Sequence, residues 1–542
     1  MKDGKKDYLA EAFDEISDIH IMEAASYRKK QKIVSVKRWL ALAACFAVLA
    51  CAAFGWNRFY NGKRSEDDFI LQESDSKDDA DRDKELTAGQ ENEEDKETEG
   101  VQDRTDMIAG EEKEDIQGDS AGKPENTEAF LGIVYPEYVS YSEDDWEDWK
   151  RLLEDNCISE EFSEALERFA MVSGSSVLSG TKENVNYSPL SLYYALALVG
   201  CGAEGETADE ILDILGMSDQ AELSEQCRKL YQYFYYSELR NQAYDAGSEE
   251  AYQDVIQLGN SLWISKKLEV KETYRNMVLE RFFAQSYQVD FQSADTGSLM
   301  SKWISEHTKG VLEPELSLDS GTLLSIINTL YFYGSWTEKF PQALTETDRF
   351  TLADGSQTEW DFMNSDDTAG RFQKGEGFTV SYLDTSNNCR MVFLLPDEGY
   401  TVEEFTRSPE LLQQALDFDS REWQSGQVIW KIPKFAFGSS FALADTLKNL
   451  GVERMFREDG EFYSVSEQPL KITQVIQETH IGIDEQGVEG AAYTGIDLAV
   501  GMLVDESQKA EMILNRPFLY GIQENDSGAW LFLGVCQNPA AE

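Results

Sequence analysis

Between Ile472 and Val504 the chain changes character without turning back on itself. Its first part, Ile472–Ile483 (ITQVIQETHIGI), is rich in β-branched and apolar residues and reads as a strand. Asp484-Glu485-Gln486-Gly487 then leads into Val488-Glu489-Gly490-Ala491-Ala492-Tyr493-Thr494, mostly small residues that favour neither a good helix nor a packed loop. Side chains alternate faces along an extended chain, so Val488, Gly490, Ala492 and Thr494 share one face, and all four are small enough to bury. Glu489, Ala491 and Tyr493 take the other face, where a charge and a ring reach water. The fold must therefore hold a strand whose continuation is either an exposed Gly/Ala loop or a slim segment able to enter a sheet. The residues alone leave both open.

Composition narrows the function classes. The 542 residues carry 102 acidic against 48 basic side chains, a formal net charge of −54, and 41% of them are hydrophobic. That supports a large core with appendages and argues against nucleic acid or anionic lipid as a partner. The three histidines, His20, His307 and His480, are far apart in the chain, and no G-x-S-x-G elbow, H-E-x-x-H helix or paired ligand cluster occurs. No enzyme activity, metal or cofactor is expected, and both His307 and His480 read as structural. The seven cysteines follow no framework spacing, so no structural disulfide is expected. Gly200-Cys201-Gly202-Ala203-Glu204-Gly205 matches G-x-G-x-x-G, but a helix precedes it and Glu204 and Glu206 would repel a pyrophosphate; it reads as a turn between helices.

Three segments precede the globular part. Residues 1–38 are charged, carry an amphipathic pattern and end in a basic cluster from Arg28 to Arg38. Residues 39–56 (WLALAACFAVLACAAFGW) are free of charge and bounded by tryptophans, just long enough for one membrane-spanning helix, since a span needs about 17–25 residues. The basic flank before it predicts a cytoplasmic N-terminus and an extracellular remainder. Residues 57–128 form an acidic linker. From Ser65 to Glu128 it holds 25 acidic and 7 basic residues, a composition expected to stay disordered and extended. The globular domain is expected over 129–542, with its core at 158–539.

Within that domain Ile158–Ser173 has helical spacing. Ser188-Pro189 opens an almost wholly apolar helix over Leu190–Val199, hydroxyl first and proline in the first turn. Strands are expected at Gln257–Ile264, Gln288–Phe291, Leu323–Phe340, Phe350–Met363, Met391–Pro396 and Val428–Phe437, with helices at Tyr274–Gln285 and Phe441–Met455. Several of these stretches resemble serpins. NVNYSPLSLYYALALVGCGAEGET is similar to the family's NxxFSPxSixxAL signature. LLSIINTLYFYGSWTEKF resembles NAxyFKgxWxxxF, and SKWISEHTKGVLEPEL, RPFLY and LFLGVCQNP resemble further serpin segments in the same order. EQGVEGAAYT looks like the serpin reactive-loop hinge, EEGTEAAAAT, with Val488, Gly490 and Tyr493 as departures.

The resemblance implies an α+β serpin fold: helices packed around a large central mixed β-sheet, two smaller sheets and an exposed reactive-centre loop. It implies inhibition of serine proteases by suicide-substrate trapping, in which the cleaved loop inserts into the central sheet. The hinge then comprises Glu485, Gly487, Val488, Glu489, Gly490, Ala491, Ala492 and Thr494. Ser188, Ser191 and Asn328 match the family's shutter residues, the shutter histidine position falls on Gln477, and Trp336 matches the tryptophan where insertion begins. Family spacing puts the scissile bond at Gly501-Met502, with Met502-Leu503 and Leu503-Val504 left open. The apolar window and its lack of Lys or Arg point to elastase-, subtilisin- or chymotrypsin-like targets; a cysteine protease also fits. Joined to the span and acidic linker read above, the expected protein is a bacterial-type, membrane-anchored serpin, a monomer displayed outside the cell. The rivals are a non-inhibitory serpin acting as a binding or sensor module, and a signalling protein whose N-terminal segment contacts a cytosolic regulator.

Overall fold

The computed structural model describes residues 129–142, 144–245, 254–417, 423–488 and 508–541. All belong to one compact unit, Lys113–Glu542. Its strands are β1 (Phe130–Gly132), β2 (Val185–Tyr187), β3 (Val255–Ser265), β4 (Gln285–Val289), β5 (Leu324–Ser335), β6 (Glu346–Thr351), β7 (Gln357–Gly375) and β8 (Phe378–Asp384). They continue as β9 (Cys389–Pro396), β10 (Gln424–Pro433), β11 (Phe435–Ala442), β12 (Ile476–Ile483), β13 (Gly487–Val488), β14 (Lys509–Ile513), β15 (Phe518–Glu524) and β16 (Trp530–Cys536). The helices are α1 (Trp146–Asp155), α2 (Glu160–Leu178), α3 (Pro189–Gly200), α4 (Gly205–Leu215), α5 (Gln220–Asp245), α6 (Glu272–Phe282), α7 (Ala294–His307), α8 (Glu403–Thr406), α9 (Pro409–Leu416) and α10 (Ala444–Asn449).

Seven strands make the large mixed sheet, in the order β1-β4-β3-β5-β13-β12-β11. Only β3 and β4 run parallel as neighbours there. The remaining nine strands run β14-β10-β7-β8-β9-β15-β16-β2, with β6 on β7. The two smaller sheets expected are thus linked through β7, whose long course pairs with β10, with β6 and, at its far end, with β8.

Helix α3 lies beneath the large sheet. Its sequence is apolar around the whole circumference, so it has no solvent face, and nearly every residue is buried. Ser188 caps it: its Oγ accepts from the Ser191 N–H at 3.2 Å, and Pro189 fills the first position, where no amide is needed. Ser159 caps α2 in the same way, accepting from Phe162. The main core joins α2, α3, α4 and α5 to both sheets; a second cluster around Trp263, Tyr287 and Trp303 packs α7 on the flank of β3 and β4.

Several expected elements are shorter or divided. Phe350–Met363 is two strands, β6 and the start of β7, because Asp354-Gly355 makes a tight turn with Gly355 at φ +82°. Val428–Phe437 is also two strands, which part at Lys434 to join different sheets. The helix expected over Phe441–Met455 stops at Asn449, where Gly451 takes a left-handed φ of +96°. Strand β4 starts three residues before Gln288 and ends before Phe291. The strand expected from Ile472 begins only at Ile476. Its partner β11 ends at Ala442 opposite Ile476, so residues 472–475 have no ladder left to join.

Candidate functional site: a gap in the large sheet and the strand seed above it

Strands β5 and β12 are held apart along most of their length. Among the described residues only β13, two residues long, lies between them. Gly487 and Val488 pair with Ser335 and Gly334 on β5, and Val488 pairs with Ile483 on β12. Below this seed lies an open gap, walled by Ser325 and Asn328 of β5, by Ile476 and Gln477 of β12, and floored by Ser191 and Leu192 of α3. A small apolar recess, lined by Leu324, Ile326, Leu470 and Ile472 among others, shares residues with its lower end. Strand β5 shows the consequence: although it lies in the middle of the sheet, Leu324–Asn328 are all only partly buried.

The upper end is tied by a dense set of bonds. Asp484 makes a side-chain turn, its Oδ1 accepting from the Gln486 N–H at 2.8 Å and from the Gly487 N–H at 3.3 Å. Trp336 is 1% exposed; its indole donates to the Asp484 carbonyl at 2.9 Å and its N–H to the Gln486 carbonyl at 2.9 Å. Phe340 N–H donates to the Glu485 carbonyl. The Glu485 carboxylate is buried and receives Lys434 Nζ at 2.8 Å and Thr345 Oγ1 at 2.7 Å. Burial pushes its pKa up, but the hydrogen bonds from Lys434, Thr345 and its own backbone outweigh this and hold it below the ordinary carboxylate value. A Cβ at Gly487 would stand 2.2 Å from the Gly334 carbonyl oxygen, so glycine is required by close approach. Val488 is 1% exposed, on the inward face that the alternation assigns to it.

Beneath the gap, the Gln477 side chain exchanges two bonds with the Ser188 backbone. It accepts from the N–H at 3.0 Å and donates to the carbonyl at 2.8 Å. Next to it, Thr479 Oγ1 donates to the Asn186 carbonyl at 2.5 Å, and Asn186 Nδ2 donates to the His480 carbonyl at 3.2 Å. The structure therefore brings Ser188, Ser191 and Gln477 together. Asn328 stands apart from them: it donates to Asn260 Oδ1 at 2.5 Å, and its own Oδ1 is buried without a partner. Asn186, Thr479, Asn260, Lys434 and Thr345 belong to these networks and were not singled out from sequence. The Asn186–Tyr187–Ser188 run did carry a signal, since two polar residues flank an apolar helix start. Glu489, Gly490, Ala491, Ala492 and Thr494, and the bond candidates Gly501, Met502 and Leu503, lie outside the described residues, as do residues 39–56.

The remaining candidate chemistry resolves into structure. At the G-x-G-x-x-G match the α4 N-terminus is occupied by the chain's own anion: Glu461 Oε2 accepts from the Thr207 N–H at 3.3 Å. His307 stacks on Trp303 and lies between the Trp303 carbonyl and Gln285 Nε2, both at 2.8 Å; these neighbours fix Nδ1 as the protonated nitrogen. Burial lowers its pKa to about 4. Cys157, Cys201, Cys227, Cys389 and Cys536 are free thiols. No helix among the described residues is long and apolar enough to cross a membrane.

A family profile described as Serpin (serine protease inhibitor) matches residues 164–539. Serpin-Z2A of Triticum aestivum is 28% identical over 379 residues, covering 66% of this chain and 91% of the relative. Serpin-ZX of Arabidopsis thaliana is 29% identical over 372 residues, covering 66% and 92%. Among solved structures, the thermophilic serpin tengpin in its native state matches with a TM-score of 0.59 at 24% identity, over 70% of this chain and 95% of that one. Thyroxine-binding globulin in complex with thyroxine matches with a TM-score of 0.56 at 22% identity, over 70% and 99%. A central sheet with an unfilled strand position, a seed at its top and a profile match over well over half its length make this chain a member of the serpin family.

Proposed function

We propose that this serpin inhibits serine proteases by suicide-substrate trapping, as a monomer held outside the cell by its N-terminal span and acidic linker. The observation that carries the inhibitory part is the register of β13. Its pairing is antiparallel to both neighbours, so each step along the loop descends one residue on each side. Continued six residues in this register, the loop would bring Thr494 opposite Asn328 on β5 and opposite Gln477 on β12. The two strands, read independently, would receive the same loop residue between the polar walls of the gap, which supports the reading. Gly490, Ala492 and Thr494 fall on the same face as buried Val488, and none is bulky or charged.

The chemistry follows from this geometry. A protease serine attacks the scissile carbonyl near Gly501, Met502 or Leu503, expels the new amino terminus and forms an ester-linked acyl-enzyme. The freed segment descends between β5 and β12, gaining ladder bonds on both edges at once. The attached protease is carried along before water can reach the ester. Anchoring rests on the composition of residues 39–56 and their basic flank.

The test mixes the full chain with subtilisin, elastase and chymotrypsin. The expected result is a complex surviving SDS, with a cut between Val500 and Val504. Cleavage without complex but with a large rise in melting temperature would mean insertion too slow to trap. Cleavage with no rise would overturn insertion and favour a binding or sensor module.

A further inference from the structure

The folded domain's charge is far outside what solubility requires. Counted along the sequence, residues 129–542 hold 70 acidic and 29 basic side chains, a formal charge of −41 before the linker adds its own excess. The loop a protease must straddle shares the sign: residues 489–507 contain Glu489, Asp497, Asp505 and Glu506 and no Lys or Arg. So does the surface beside the seed. The segment from Thr337 to Asp361 is joined to the hinge through the Phe340–Glu485 and Thr345–Glu485 bonds, and it exposes Glu338, Glu346, Asp354, Glu359 and Asp361. It offers Arg349 and the half-buried Lys339 against them. No single group of carboxylates is the recognition site; the field belongs to the whole domain, and Lys434 at the hinge, Lys431 beside Asp348, and Lys374 and Lys509 at the loop's far base offset it only locally.

We infer that the target is a cationic serine protease, one with a positively charged face around its active-site cleft, captured by electrostatic steering. The inference rests on the inhibitory reading and adds the partner's chemistry to it. A like-charged protease meets a repulsive field on approach. A cationic one is drawn in and pre-oriented, which raises encounter rates by roughly 10- to 1,000-fold at low salt. The Debye length shrinks from about 30 Å at 0.01 M salt to about 3 Å at 1 M, so the effect is removable without altering either protein. Trapping depends on a race after acylation. Steering therefore acts on the association rate and leaves the stoichiometry of inhibition unchanged.

The test uses the full chain in neutral detergent, a cationic elastase, and the same elastase with its lysines succinylated. Second-order rate constants for SDS-stable complex formation are measured from 20 to 500 mM NaCl. The expected result is a fall of about tenfold or more for the cationic enzyme, with a flat or rising profile for the succinylated one. A chain carrying Glu338→Gln, Glu346→Gln, Glu359→Gln and Asp361→Asn should show a shallower fall at the same stoichiometry. Complexes that form with both enzymes at salt-independent rates would overturn the inference and leave trapping intact. Absence of any complex with either enzyme would instead overturn the inhibitory reading.

Discussion

The two sheets of this domain are made from similar strands and finished to different degrees. In the nine-stranded sheet, β16 pairs with β15 on one side and β2 on the other, and all seven of its residues are buried. In the large sheet, β5 is equally central, yet its lower half is only partly covered, because no described residue pairs with it on that side below Val488. Half-buried Leu324, Ile326 and Ile327 in a central strand represent apolar burial still to be gained, at about 25 cal/mol per Å². Among the described residues one sheet is fully paired through its middle, and the other leaves apolar strand surface partly uncovered, as the proposed insertion requires.

The most direct way to break that contrast is to make the missing strand unable to enter. Thr494→Arg would place a charge between Asn328 and Gln477. We expect cleavage to continue while SDS-stable complex disappears, with the stoichiometry of inhibition rising more than tenfold and the cleaved form no longer melting higher than the intact one. Undiminished complex formation would mean the register does not continue as the seed indicates. Next in size is Gln477→Leu, which leaves the Ser188 N–H without a partner and its carbonyl with only the Leu192 N–H at 3.3 Å. A buried donor left in this state costs about 1–3 kcal/mol, so a loss of about 2 kcal/mol is expected in urea unfolding of the intact protein.

Much of this contrast was legible in the sequence, and the reasons for success and failure differ by residue. The Val488 alternation could be read because period two is a property of the backbone, and the capped α3 could be read because its signals are local. The division of Phe350–Met363 is equally local, carried by the turn pair Asp354-Gly355. The late start of β12 at Ile476 was not readable, because it depends on where a partner 34 residues earlier stops. For the same reason Asn328 matched by motif but lies on Asn260 across the gap from Gln477. Lys434 and Thr345 meet Glu485 only because a strand break and an exposed turn converge on the hinge, which no spacing in the chain encodes.

The flank of the gap offers a pH test. His307 clamps α7 to the sheet beside β3, where a Cβ on Gly259 would stand 3.1 Å from its ring. Its folded pKa of about 4 lies below the unfolded 6.5, so the unfolded chain takes up the proton first. The associated stability is fully present above pH 6.5 and is lost as the pH falls through that value towards about 4, for a total of about 3 kcal/mol. His307→Gln should flatten this part of the stability–pH curve. An unchanged curve would remove His307 as its source.

The smallest expected effect sharpens the comparison most, because it weighs the two ends of the same gap. Glu485→Gln keeps an acceptor for Thr345 Oγ1 but gives Lys434 an uncharged partner. Lys434 is partly exposed, and water can take over its solvation, so the cost should be only about 1 kcal/mol. The sign with pH is set by the lowered folded pKa. The pair's contribution is present above the unfolded carboxylate value and disappears as the pH falls through the folded one, so wild type and variant should converge in acid. If Glu485→Gln instead cost as much as Gln477→Leu, the native state would be held chiefly by the latch at the hinge. The expected order, Gln477 above Glu485, puts the main hold at the floor of the gap.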